Sequence, residues 1–344
     1  MDPSTLPKGP ILVVGLGSMG KRRLRNLTAL GITELNGLDP RPDRRDEVSA
    51  LFGIAVHADL QAAVGTARPV ALVISVPPHL HHLYMLEAIA MGIPFFIEAS
   101  VIEGGLAEIN AMARAGGVFA APSATMLFHP AVRIVRDVLA SGDLGHVSSV
   151  QHHVGNYLPD WHPYEAVSDF YVSRKDTGGA REIVPFELTW LTHLFGFPER
   201  VCGVHRKTID IPGAPDIDDT YNAILDNGVF AINLLVDVVA RHPMRRLFVN
   251  CSEGSILWDW DDGHVRLFRA ATGKWEEVPY TMSPASAGYN KNISDDMYIE
   301  EMRAFLQGIA RPGSYVNDLD NDIRVLGLLH TIERAWEQRC WLEV

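Results

Sequence analysis

The run Gly15-Leu16-Gly17-Ser18-Met19-Gly20 directly follows the apolar stretch Ile11–Val14 and opens a segment of helical composition, Lys21–Leu30. In such a run the first glycine permits a tight turn and the second lets a pyrophosphate approach the backbone. The third allows close helix–strand packing, and the helix start offers N–H groups and a partial positive charge. Asp39 stands at the end of the next strand candidate, 19 residues beyond Gly20. A carboxylate there accepts hydrogen bonds from adenosine ribose hydroxyls and repels a 2′-phosphate. Loop and carboxylate together predict a dinucleotide site that prefers NAD. Arg41, two residues further on, could hold a 2′-phosphate, so NADP stays open.

The histidines and cysteines point to no metal. His79, His81 and His82 have no carboxylate or thiolate at ligand spacing, and His152 and His153, being adjacent on a strand, project to opposite faces. Cys202, Cys251 and Cys340 are odd in number and far apart, which excludes a disulfide framework and suits a reducing, cytoplasmic setting. Trp161-His162-Pro163-Tyr164 reads either as loop packing or as an aromatic rim for a sugar.

The elements that must carry these residues alternate over the first third of the 344-residue chain. Strand candidates Ile11–Val14, Leu35–Leu38, Ile54–His57, Val70–Val76, Pro94–Ile97 and Val118–Ala121 are separated by helical stretches at Lys21–Leu30, Arg44–Phe52, Leu80–Met91 and Gly105–Ala115. This predicts an α/β Rossmann domain, a doubly wound parallel sheet, over residues 1–122. Beyond Pro122 the pattern changes. A helix at Ala131–Ala140 precedes strand candidates Val147–Val154, Thr220–Leu225, Val229–Val236, Arg245–Asn250, Ser255–Trp260 and Val265–Phe268. Asp226-Asn227-Gly228 and Asp261-Asp262-Gly263 suit antiparallel hairpins. Two helices follow, the first with Ser294 as N-cap and Tyr298, Met302, Phe305, Leu306 and Ile309 on one face. Residues 123–344 are thus expected to form a C-terminal α+β domain with a mostly antiparallel sheet, for substrate and for oligomerisation.

Forty-two acidic against 30 basic residues give a net charge of -12, which argues against nucleic acid and anionic membrane as partners. No apolar run is long enough to cross a bilayer, and the first residues lack the basic leader of a secretory signal. Val229–Val236 is apolar at nearly every position, as a strand buried on both faces would be, and predicts a homodimer or homotetramer through the C-terminal sheet.

Ser75-Val76-Pro77-Pro78-His79-Leu80-His81, Glu98, Phe128-His129-Pro130 and Glu187-Leu188…Leu194-Phe195-Gly196, with the glycine loop and Asp39, resemble the glucose–fructose oxidoreductase/inositol dehydrogenase (Gfo/Idh/MocA) family. Asn156–Trp161 and Met297-Tyr298…Glu301-Met302 resemble a branch of it acting on sugars. The resemblance implies an NAD(P)-dependent oxidoreductase working on a hydroxyl or carbonyl of a sugar-like small molecule. It also implies cofactor contacts at Ser75, Val76, Pro77, His81 and Glu98, beside Gly15, Gly17, Ser18, Met19, Gly20, Asp39 and Arg41.

The departures are chemical. The family's Glu-Lys-Pro is Glu98-Ala99-Ser100, so its lysine is Ala99. Its active-site histidine falls on Phe186, its upstream aspartate on Ile183 or Glu182, and an arginine before Phe-His-Pro on Leu127. Neither alanine nor phenylalanine moves a proton. Candidate replacements lie in Tyr171–Glu187. Glu182 could accept a hydroxyl proton and Arg181 could hold a carboxylate or phosphate bidentately, or the two could be a solvated ion pair. Lys175 is either a proton carrier or a plain surface lysine. Glu187 could cap or brace the helix after it. With the usual acid–base pair gone, two alternatives stand beside net oxidation. One is a redox-neutral lyase, epimerase or hydrolase reaction with bound NAD; the other is cofactor binding without turnover.

Overall fold

The computed structural model describes residues 7–161, 165–284 and 294–344. Three of the four aromatic-rim candidates, His162, Pro163 and Tyr164, lie outside the described residues. In chain order the elements of the first third are β1 (Ile11–Val14), α1 (Ser18–Ala29), β2 (Leu35–Leu38), α2 (Pro42–Phe52), β3 (Ala55–His57), α3 (Leu60–Thr66), β4 (Ala71–Ile74), α4 (His81–Met91), β5 (Phe95–Ile97), α5 (Leu106–Ala115) and β6 (Ala120–Pro122). There follow α6 (Pro130–Ser141), β7 (Val147–Tyr157), α7 (Ala180–Phe195), β8 (Arg200–Arg206), β9 (Thr220–Asp226), β10 (Ala231–Asp237), β11 (Val239–Cys251), β12 (Gly254–Asp259), β13 (His264–Arg269) and β14 (Lys274–Pro279). The last elements are α8 (Asp296–Ala310), α9 (Leu319–Gln338) and β15 (Leu342–Glu343).

The chain divides into two compact units, Met1–Thr125 with Asp295–Ile323, and Met126–Ser294 with Arg324–Val344. In the first unit six parallel strands lie in the order β3-β2-β1-β4-β5-β6. The order reverses beside β1, which is the doubly wound Rossmann arrangement. Every residue of β1 and β4 is fully shielded from solvent, as strands covered on both faces require. Each of their branched side chains contributes about 1.5–3 kcal/mol by burial.

The expected boundary at residue 122 differs from this division, because α8 returns to the first unit. The reason is a buried carboxylate. Glu301 on α8 accepts hydrogen bonds from Arg23 Nη1 (2.8 Å), Ser123 Oγ (3.0 Å), the Ala124 N–H (2.7 Å) and Thr125 Oγ1 (2.8 Å). A buried carboxylate is tolerated only with such a set of donors, and they all lie in the first unit. The N-cap of α8 is Asp295 rather than Ser294, and Ser294 is buried.

The second unit holds a nine-stranded sheet, β14-β13-β12-β11-β7-β10-β9-β8-β15, in which β10 and β7 run parallel and the other neighbours antiparallel. Both expected hairpin turns are present, joining β9 to β10 and β12 to β13. The expectation for Val229–Val236 needs correction: Val229 lies outside the strand and is 82% exposed, and within β10 burial alternates, with Asn233 turned to solvent. One face of the strand is buried and the other open. The open face carries Gln151, His153, Asn222, Ile224, Asn233 and Phe248 around a hollow of about 790 Å³.

Candidate functional site

The glycine loop leaves β1 and turns into α1, whose N-cap is Gly17. Gly15 has φ +87°, and a Cβ there would lie 2.6 Å from the Ser75 carbonyl oxygen; at Gly20 it would lie 1.8 Å from the Gly15 oxygen. Only glycine closes this turn. Gly17 is different: a Cβ there would meet nothing nearer than the tip of Arg44 at 3.4 Å, so its backbone faces space that a ligand can approach. Asp39, at the end of β2, is aimed at the loop. Its Oδ2 accepts from the Leu16 N–H (2.8 Å) and its Oδ1 from the Arg41 N–H (2.9 Å). Both oxygens keep lone pairs for hydroxyl donors. A cradle built by glycines beside a fixed carboxylate fits a dinucleotide.

The other expected cofactor residues divide. Ser18 and Met19 sit in the first turn of α1, and Met19 Sδ is 3.8 Å from Arg22 Nη1. The Arg41 side chain is directed to the Asp43 carboxylate (3.1 and 2.6 Å) and is exposed. Ser75 Oγ donates to Glu98 Oε1 (3.1 Å). Glu98 itself receives both Arg23 Nε and Nη2 at 2.7 Å, so its carboxylate serves the internal frame of the first unit. His81 is buried with Nε2 2.9 Å from the Val76 carbonyl; burial pushes its pKa down to about 4 and keeps it neutral. Pro77 precedes the short turn leading to α4, and Ala99 stands half-buried after Glu98.

In the second unit α7 carries most of the charged residues singled out in the sequence. It contains Pro185 inside its length, and Thr189 Oγ1 donates to the Pro185 carbonyl (2.8 Å). Glu187 lies within this helix rather than capping it. Its Oε2 meets His152 Nε2 (2.8 Å) and Trp190 Nε1 (2.8 Å), and its Oε1 accepts from Arg245 Nη2 (2.6 Å). Burial alone would raise the Glu187 pKa, but the charge of Arg245 and the donation from His152 hold it at about 2. His153 turns the other way, to Asp237 Oδ2 (2.8 Å).

Glu182 is the unusual group. The Tyr171 hydroxyl donates to its Oε1, while its Oε2 is shielded and has no hydrogen-bond partner among the described residues. Burial pushes its pKa up to about 7 against the opposing effect of the tyrosine bond. Such a carboxyl exchanges a proton near neutrality. Arg181, by contrast, spends its guanidinium internally. Its Nε and Nη2 pair with Glu333 (2.6 and 3.1 Å) and its Nη1 donates to the Asp176 carbonyl (2.6 Å). These bonds engage all three of its guanidinium nitrogens. Lys175 is exposed on the preceding loop, as a surface lysine is.

No local pattern announces the setting of Arg245. Arg245 lies with its guanidinium carbon 4.4 Å from the Trp260 ring centroid and 5.9 Å from that of Phe186. His129, which accepts from the Ala131 N–H to cap α6, packs against Trp258 and Trp260 at 5.0 and 5.1 Å. Burial, and then the charge of Arg245, push its pKa down to about 3. Leu127 is buried beside it in sequence. Among the described residues no three His, Cys, Asp or Glu side chains gather as metal ligands.

Residues 10–115 match the oxidoreductase family's NAD-binding Rossmann fold, and residues 132–257 match the GFO/IDH/MocA C-terminal domain. The chain belongs to the Gfo/Idh/MocA family, and its N-terminal domain is an NAD-binding Rossmann domain. An inositol 2-dehydrogenase of Streptomyces avermitilis is 29% identical over 141 residues, a match spanning 39% of this chain and 41% of that protein. Levoglucosan dehydrogenase, solved in complex with NADH and levoglucosan, has a TM-score of 0.84 at 16% identity, over 98% of this chain and 99% of that one. An oxidoreductase from Agrobacterium radiobacter, in complex with NAD+, L-tartaric acid and magnesium, gives 0.83 at 11% identity over 98% of both chains. These structures share the fold.

Proposed function

We propose that the chain is an NAD-dependent oxidoreductase acting on a hydroxyl or carbonyl of a sugar or sugar derivative, with Glu182 moving the proton that its relatives assign to lysine and histidine. The observation that carries this is the Glu182 carboxyl, shielded, poised near neutral pH and half unpartnered, in a chain whose Lys and His positions hold Ala99 and Phe186. The substrate class rests on relatives named for inositol and levoglucosan. A nicotinamide held there would supply the hydride acceptor for oxidation of an alcohol. The residues of this chain do the rest. The backbone around Gly15, Gly17 and Gly20 and the Asp39 carboxylate hold the dinucleotide, and ionised Glu182 takes the hydroxyl proton at Oε2. Tyr171 fixes the carboxyl through Oε1.

Glu182→Gln keeps the shape and removes the base. Turnover with an oxidisable sugar should fall by a factor of about 100 to 10,000. NAD affinity, measured by calorimetry, should stay unchanged, and the wild-type rate should rise with pH through about 7 as Glu182 ionises. Near-normal turnover in the variant overturns the assignment.

A further inference from the structure

Three charges meet beside Phe186 in the second unit: Arg245, Glu187 and His152. Glu187 and His152 are shielded from solvent, and among the described residues Glu187 is the one carboxylate that either cation contacts. Glu187, held at a pKa of about 2, is ionised. His152 faces acceptors with both ring nitrogens, Nδ1 the Arg246 carbonyl (3.1 Å) and Nε2 the Glu187 carboxylate (2.8 Å). Only the doubly protonated ring donates to both, so His152 is a cation here. Trp190 gives the same carboxylate a further donor but no charge. Two cations share one anion, and the cluster keeps one net positive charge.

The surplus falls on Arg245. Its bond to Glu187 leaves from Nη2 (2.6 Å), while Nε is shielded and has no partner among the described residues. A guanidinium has five donors, and a shielded cation with donors unspent is costly unless an acceptor meets it. The open side is next to two half-buried rings, Trp260 and Phe186, and the Arg245 side chain keeps 13% exposure. Phe186 lies one turn of α7 after Glu182, so the face that carries the proposed base also carries the ring beside Arg245. We propose that Arg245 is a substrate-binding residue that selects a sugar acid, an aldonate or uronate, by holding its carboxylate with the donors that Glu187 leaves free. One net positive charge matches the single charge of a carboxylate, whereas a phosphate monoester brings nearly two. The planar fork also meets a carboxylate in two parallel bonds. The proposal deepens, and rests on, the reading of the chain as a sugar oxidoreductase with Glu182 as base.

Calorimetry with the full chain and saturating NAD+ tests it apart from turnover. D-glucuronate, D-galacturonate and D-gluconate are titrated beside their uncharged primary amides and beside glucose 6-phosphate. Each is titrated into the wild type and into Arg245→Lys, which keeps a cation for Glu187 but loses the fork. At least one acid should bind the wild type about tenfold or more tighter than its amide and than the phosphate, tenfold being about 1.4 kcal/mol. In Arg245→Lys that preference should shrink by about tenfold while the affinity for the amide stays within about threefold. Acid and amide bound alike, no acid bound, the phosphate preferred, or the preference intact in Arg245→Lys overturns the proposal. Should urea denaturation show Arg245→Lys to be unfolded, the wild-type comparison of acid with amide decides alone. Sugar acids bound selectively but yielding no NADH would strike the oxidation and leave the role of Arg245 standing; neutral sugars oxidised with acids unbound would do the reverse.

Discussion

Glu187 holds three donors at once, from His152, Trp190 and Arg245, and exposes no surface. Removing its charge leaves the Arg245 guanidinium without its ion-pair partner, a change that typically costs about 3–5 kcal/mol when the pair is buried. Glu187→Gln should therefore be less stable by about that amount at neutral pH in urea denaturation. The pH dependence has a fixed sign. The folded pKa, about 2, lies below the ordinary 4.5, so the stabilisation is complete above 4.5 and is lost as pH falls toward 2. The gap between wild type and variant should thus narrow below pH 4.5. Parallel stability curves down to low pH would show that Arg245 does not depend on this carboxylate. Neighbouring residues carry the opposite lesson about legibility. Glu182 was legible as a candidate because an acid near the family's aspartate position suggests a base. The commitment of Arg181 to Glu333 was not, because that partner lies 152 residues away. The pairing of Arg41 with Asp43 was not legible either, since side-chain direction around the turn into α2 decides it.

At the scale of elements, the parallel sheet was readable because most of its strands are short apolar runs that alternate with helical stretches. All six strand candidates of the first domain correspond to observed strands, with ends that agree to within two residues and coincide for β1 and β2. The elements that escaped had weak patterns for identifiable reasons. Helix α3 is seven residues with a single buried side chain, and β14 is almost wholly exposed, with charged residues where an alternating pattern would show. Strand β8 buries one residue of its seven. Helix α7 was obscured by Pro185, which removes a backbone donor from its interior. The apolar face of α8 was visible in its spacing, but its destination was not. The ligands of Glu301 come from α1 and from the segment after β6, and no local pattern announces them.

At the scale of the whole chain, no helix among the described residues is long and apolar enough to cross a membrane. The nine-stranded sheet presents an open face mixing apolar Ile224 and Phe248 with polar Gln151, Asn222 and Asn233. That mixture fits an interface of the kind where an apolar centre is ringed by hydrogen-bonding groups, and we propose that two copies associate there. Light scattering at micromolar concentration should give a multiple of the 38.0 kDa chain mass; the single-chain mass would reject the association. The central claim, that this chain oxidises a sugar hydroxyl with NAD despite Ala99 and Phe186, is tested most directly by incubating the full chain with NAD+ and a panel of sugars and polyols while following nicotinamide absorbance and the sugar product together. The account predicts one NADH for each sugar oxidised. Sugar converted without net NADH, or NAD+ bound with no product formed across the panel, would contradict it.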